Sequence, residues 1–71
     1  MITNNLKEYR LRLGLKQSEV AEKLGMKSSD RISHWEKGVA MPSVINLFKL
    51  AKLYGVFPHE LYEDSVENKI N

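Results

Sequence analysis

The sequence predicts an all-α fold built from five short helices. Three observations predict it. Apolar residues recur at three- and four-residue intervals through most of the chain, the spacing of helices that bury one face. A glycine follows each of the first four such stretches, at Gly14, Gly25, Gly38 and Gly55. No segment alternates apolar and polar residues for long enough to argue a strand.

The first helix is expected over residues 4–13, with Asn4 or Asn5 as its cap. Leu6, Tyr9, Arg10 and Leu13 then fall on one stripe. The second, over residues 17–24, places Val20, Ala21 and Leu24 together. Gly25 stops it, because glycine takes a positive φ at little steric cost. Ala21 is small enough to let another helix cross closely. Ser28 and Ser29 can each cap a third helix over residues 29–37. That helix has only Ile32 and Trp35 as apolar anchors. Asp30, Arg31, Ser33, His34 and Lys37 are polar, so it is held along a narrow edge and shows the rest outward. Two helices around a tight turn, the second polar on its outer side, suit a DNA major groove, which admits one α-helix. The loop 38–41 leads to Pro42 and Ser43. A fourth helix over residues 43–54 turns Leu47, Leu50, Ala51 and Tyr54 inward. The fifth is short, residues 58–63, with Pro58 in the first turn, where a missing N–H costs nothing. Residues 64–71 are polar and are expected to fray.

A chain of 71 residues makes one small domain, taken as residues 1–71. It buries only about 60% of its unfolded surface, and its stability should be about 3–5 kcal/mol. There is no cysteine, so neither a disulfide nor a thiolate zinc site supplements the core. The two histidines, His34 and His59, lie in separate helices, and no metal or cofactor is expected. No nucleophile–base pair or phosphate loop is present, which argues against an enzyme. No run approaches the roughly 18 apolar residues of a membrane span, and the N-terminus has no apolar leader, so a cytoplasmic location is expected. Net charge is only +2, but it is unevenly placed. Residues 1–55 hold ten Lys or Arg against five Asp or Glu. Residues 56–71 hold Lys69 against Glu60, Glu63, Asp64 and Glu67. The basic part contains the paired helices, and the acidic end should face away from phosphate.

The ordered combination L-x-x-x-R, GL-x-Q, A-x-x-LG, I-x-x-W-E-x-G, P, L-x-x-LA and GV runs through residues 6–56. It resembles the phage repressor/Cro (Xre) family of helix-turn-helix transcriptional regulators. LKEYRLRLGLKQ is similar to that family's first helix and the start of its second. PSVINLFKLAKLYGV is similar to its fourth, and PHELY to its fifth, so the likeness extends to about Glu63. The resemblance implies a compact five-helix, lambda-repressor-like DNA-binding domain, bacterial or phage-encoded, with the helix-turn-helix at helices two and three.

It also implies roles for residues. Gln17 opens the second helix, where the family binds a phosphate and braces the recognition helix; a helix N-terminus favours an anion. Lys16 departs from the usual Thr or Asn cap and either adds a phosphate contact or is plainly exposed. The turn is one residue longer than is common, and the extra residue should sit near Lys27 or Ser28. Aligned backwards from Ile32, the base-reading positions are Ser29, Asp30, Arg31 and His34, with Lys27, Ser28 and Ser33 peripheral on the phosphate side. Arg31 is the best reader, because a guanidinium pairs bidentately with guanine. Ser29 bonds a base or phosphate, or simply caps the helix. Asp30 accepts from a cytosine amine, or simply favours the helix dipole. Lys37, the amides from Gly38 to Met41, and Ser43 are expected against the phosphate backbone. Arg10 and Glu36 sit where the family carries a partly buried ion pair. Trp35 is expected in the core.

Under this resemblance the partner is double-stranded DNA, read as a palindromic operator by a weak homodimer of the Cro or restriction-controller kind. No small-molecule ligand and no membrane are expected. Phe57, Pro58, Leu61, Tyr62 and Val66 are the expected self-association surface, since Phe57 stands where the family has a small polar cap. The alternative is a protein-interaction module, such as an antitoxin or adaptor on the same fold.

Overall fold

The computed structural model describes residues 2–62. The expected tail, 64–71, and Val66 with it lie outside the described residues. Four α-helices follow in order: α1 Leu6–Arg12, α2 Gln17–Lys23, α3 Asp30–Lys37 and α4 Val44–Tyr54. A 3₁₀ turn, Pro58–Leu61, follows α4. The expected fifth α-helix is therefore corrected to a single turn. Its bonds reach back three residues, from Glu60 to Phe57 and from Tyr62 to His59. Phe57 has no acceptor with which to cap a longer helix. Among the described residues there is no strand, and no helix is long and apolar enough to cross a membrane.

Every helix gives side chains to one core of Leu6, Val20, Ala21, Leu24, Ile32, Trp35, Leu50, Ala51 and Tyr54. Leu61 of the 3₁₀ turn completes it, with no exposed surface at all. Leu61 is thus not part of a self-association surface, as expected from its sequence position, but a core residue. Tyr62 also packs against the core, and Pro58 is half-buried. Among the described residues of the expected surface only Phe57, 68% exposed, is largely in solvent.

The two ends of the chain's first segment are fastened by asparagines. Asn4 Oδ1 accepts from the Leu6 amide, 3.0 Å, and so serves the start of α1. Asn5 occupies the formal cap position without a side-chain cap bond; its Nδ2 donates instead to the Glu60 carbonyl, 3.0 Å. Leu13, expected on the inward stripe, lies half-exposed just past the end of α1. On α4, Ser43 Oγ accepts from Asn46 N, 3.2 Å, the bond expected of a Ser cap.

Candidate nucleic-acid interface

α2 and α3 are joined by a six-residue turn, 24–29, longer than the three or four residues usual for this motif. The Met26 amide donates to the Ala21 carbonyl, 2.8 Å, and the Met26 side chain packs on the core. This closes the end of α2, and the next two residues, Lys27 and Ser28, are exposed. Ser28 Oγ accepts from the Asp30 amide at 3.4 Å, so Ser28 rather than Ser29 helps to start α3. Ser29 makes no side-chain cap bond, although it holds the cap position.

α3 is anchored by Ile32 and Trp35, both buried. At about 100° per residue, Asp30, Ser33, His34 and Lys37 form one outward stripe. Asp30, His34 and Lys37 are exposed and Ser33 is half-buried. Arg31 lies on the flank of that stripe. Its guanidinium carbon stands 5.6 Å from the centroid of the Trp35 ring, within cation–π range. Trp35 itself is a core residue.

The inner side of α3 is locked by a buried ionic network. Arg10 Nε donates to Glu36 Oε2, 2.7 Å, and Arg10 Nη2 donates to Glu36 Oε1, 3.1 Å. Arg10 Nη1 donates to the Leu15 carbonyl, 2.8 Å. The Glu36 carboxylate also accepts from Gln17 Nε2, 2.9 Å. The two charged side chains are only 8% and 4% exposed. One carboxylate therefore ties α1 and α2 to the C-terminal half of α3. The hydrogen bond to Glu36 holds the Arg10 guanidinium above its ordinary pKa, against the opposing effect of burial. Gln17 has a second N–H on the same nitrogen, which remains chemically able to donate outward.

Beside this network lies Tyr54. Burial first, and then the Glu36 charge, push its phenol up to about 12, with Arg10 acting in the opposite direction. Its hydroxyl is buried and has no hydrogen-bond partner among the described residues. A raised pKa means stability that is full below the unfolded value near 10 and lost as pH rises through about 12. Tyr54→Phe should remove that alkaline loss. At neutral pH it should leave stability unchanged or raise it by up to about 1 kcal/mol, because no bond is lost. Urea melts of both proteins at pH 7 and between pH 10 and 12 check this. An equal alkaline decline in both would refute it.

The far end of α3 is closed by Gly38, at φ 79°. The Gly38 amide donates to the Trp35 carbonyl and the Val39 amide to the His34 carbonyl, both 3.1 Å. A Cβ on Gly38 would strike the Ile2 carbonyl oxygen and lie 2.8 Å from its nitrogen. Gly38 is thus corrected from a phosphate contact to a buried helix stop, its one N–H already bonded. The N-terminal segment covers it: Ile2 N donates to the Gly38 carbonyl, 2.9 Å. Asn4 Nδ2 donates to the Trp35 carbonyl, 3.0 Å. Sequence reasoning assigned Asn4 to α1 alone and missed this second bond, for which a contact across 31 residues leaves no local signal.

Two further expected contacts, Lys16 and Ser43, stand at the starts of α2 and α4. Lys16 is exposed at the start of α2; its side chain has no acceptor, but its amide donates to Glu19 Oε1, 2.7 Å. Thus one half of a capping box survives. Ser43 is exposed, and its hydroxyl hydrogen is not used by the bond it accepts from Asn46.

A buried lock on one side of α3 and an unencumbered polar stripe on the other define a helix-turn-helix unit. A helix-turn-helix family model matches residues 6–61. The chain belongs to that family, within its Xre branch of DNA-binding regulators. It is 35% identical over 68 residues to the cryptic phage CTXphi transcriptional repressor RstR of Vibrio cholerae, covering 96% of this chain. The chain spans 60% of that repressor's length. It is 43% identical over 63 residues to an uncharacterised helix-turn-helix-type transcriptional regulator of Methanocaldococcus jannaschii, covering 86% of this chain and 94% of that one. Among solved structures it is similar to a candidate DNA-binding protein from Bacteroides fragilis, with a TM-score of 0.74 and 31% identity over 86% of this chain and 97% of the other. A hypothetical transcription factor, NHTF, from Neisseria gives a TM-score of 0.76 at 25% identity, over 90% and 72% of the two chains.

Proposed function

We propose that this chain is a sequence-specific double-stranded DNA-binding transcriptional regulator, a repressor that reads a palindromic operator as a dimer. The observation that carries this reading is α3: its inner edge is held by Ile32, Trp35 and the Glu36 network, while Asp30, His34 and Lys37 are exposed. In the major groove, His34, Asp30, Ser29 and Arg31 meet base edges. Lys37, Ser33, Lys27 and Ser28 meet phosphates around them. Lys16, the free N–H of Gln17 and the start of α2 hold a phosphate on one side, and Ser43 holds one on the other. A repressor role is supported by the similarity to a phage repressor.

Selection of bound duplexes from a random pool, followed by a salt series, tests the reading. The selected DNA should contain two half-sites about 34 Å apart, one helical turn. Log affinity should fall linearly with log salt, by about 0.9 per neutralised phosphate. Arg31→Ala should cost about 1–3 kcal/mol and relax one base position, whereas Lys37→Ala should weaken all sequences alike. An Arg31→Ala protein with unaltered preference would remove Arg31 from the base readers.

A second reading, a protein-interaction module, is favoured by one observation: Val44, Ile45 and Phe48 leave an apolar face on α4 in solvent. It requires affinity for DNA that is negligible, or unchanged from low to physiological salt.

A further inference from the structure

The C-terminal end of α3 is held by the segment that precedes α1. Asn4 Nδ2 donates to the Trp35 carbonyl, 3.0 Å, and to the Ile2 carbonyl, 3.1 Å, and stands 3.5 Å from the Glu36 carbonyl. Ile2 N donates to the Gly38 carbonyl, 2.9 Å. The Ile2 backbone lies so close to Gly38 that no Cβ fits between them. The Trp35 and Glu36 carbonyls belong to the last turn of α3, whose acceptors have no partner further along the helix. They are also the negative end of its dipole. α3 has only eight residues, so fraying of its last turn would take Lys37, its final residue, off the outward stripe. Lys37 is exposed.

We propose that Asn4 is a positioning residue for DNA binding: by tying down the exit of α3 it keeps Lys37 against the phosphate backbone while the front of the helix lies in the groove. This role rests on the DNA-binding reading and deepens it. The Asn4 side chain has two tasks. Its oxygen accepts from the Leu6 amide, 3.0 Å, and starts α1, while its nitrogen closes α3. Asn4 is half-buried and its amide is spent on carbonyls, so it acts on DNA through α3 rather than by touching it. Asn5 ties the same segment elsewhere, its Nδ2 donating to the Glu60 carbonyl, 3.0 Å, in the 3₁₀ turn. The Glu36 carboxylate holds the side-chain face of the last turn of α3, and Asn4 holds its backbone. The two holds are distinct. Without Asn4 the carboxylate still anchors the helix, so the fold survives and only the exit loosens.

Binding of the full chain to a random-sequence duplex is measured over a salt series, because a phosphate contact needs no particular base. Asn4→Ala should weaken binding at low salt by about fivefold, the size of an effect exerted without touching the ligand. It should also lower the salt slope by about 0.9, the share of one phosphate. A merely structural loss reduces the folded fraction, read by circular dichroism, and leaves the slope alone. In a Lys37→Ala background the same substitution should change affinity by less than about twofold, since both act through one contact. Asn5→Ala should keep the wild-type slope. Asn4→Ser retains an oxygen for the Leu6 amide but has no amide to donate. It should reproduce the lost slope, and it decides the case if Asn4→Ala fails to fold. Additive effects of Asn4→Ala and Lys37→Ala, or a wild-type slope in Asn4→Ser, would overturn the proposal and leave DNA binding standing. An equal loss of slope in Asn5→Ala would also overturn it. A wild type without salt-dependent affinity for the duplex would overturn the DNA-binding reading itself, and this role with it.

Discussion

Arg10→Ala should destabilise the protein by about 3–5 kcal/mol, enough to unfold most of the chain at room temperature. The guanidinium makes three hydrogen bonds, two to the Glu36 carboxylate and one to the Leu15 carbonyl. Its removal leaves Glu36 buried beside the Gln17 amide alone. A neutral amide does not offset the desolvation of a full charge. Arg10→Met combined with Glu36→Leu should cost less than Arg10→Ala, because no orphaned charge remains. Urea denaturation followed by helical circular dichroism measures both. A loss below about 1 kcal/mol in Arg10→Ala would mean that the network contributes little, as an exposed pair does. Glu8 and Arg12 make such an exposed pair on α1, at 2.8 Å, and its removal serves as the comparison.

Leu61→Ala should cost about 2–5 kcal/mol, the range for truncating a fully buried leucine. Phe57→Ala, four residues earlier and exposed, should change stability by no more than about 0.5 kcal/mol. The contrast is large because the 3₁₀ turn is a lid on the core: the Asn5 amide donates to the Leu61 carbonyl, 2.8 Å, and α4 packs against it. Thermal melts of the two variants separate the cases. Comparable shifts in both would contradict the burial of Leu61.

The helices were legible in the sequence because their signals are local. Apolar spacing set the inward faces of α2 and α4, and Gly38 and Gly55 ended α3 and α4 where expected. Trp35 was legible as core from its spacing to Ile32. What escaped was non-local or too short to carry a period. Gln17 meets Glu36 across 19 residues and Asn4 meets Trp35 across 31, and neither spacing belongs to any helix. The pairing of Arg10 with Glu36 came from family resemblance, not from the residues themselves. Leu61 was read as outward because a four-residue turn shows no face. Gly38 was offered to phosphate because nothing in its sequence neighbourhood reveals that its N–H closes α3.

The lock on α3 uses Ile32, Trp35 and Glu36, and none of the side chains on the opposite stripe. Framework and outward surface are therefore separately editable. Residues 30, 33, 34 and 37 can be exchanged as a set, and the exchanged proteins should melt close to the parent. Arg31 is the exception, because its guanidinium lies against the Trp35 ring; replacing that one residue alters the outward surface and a core contact together.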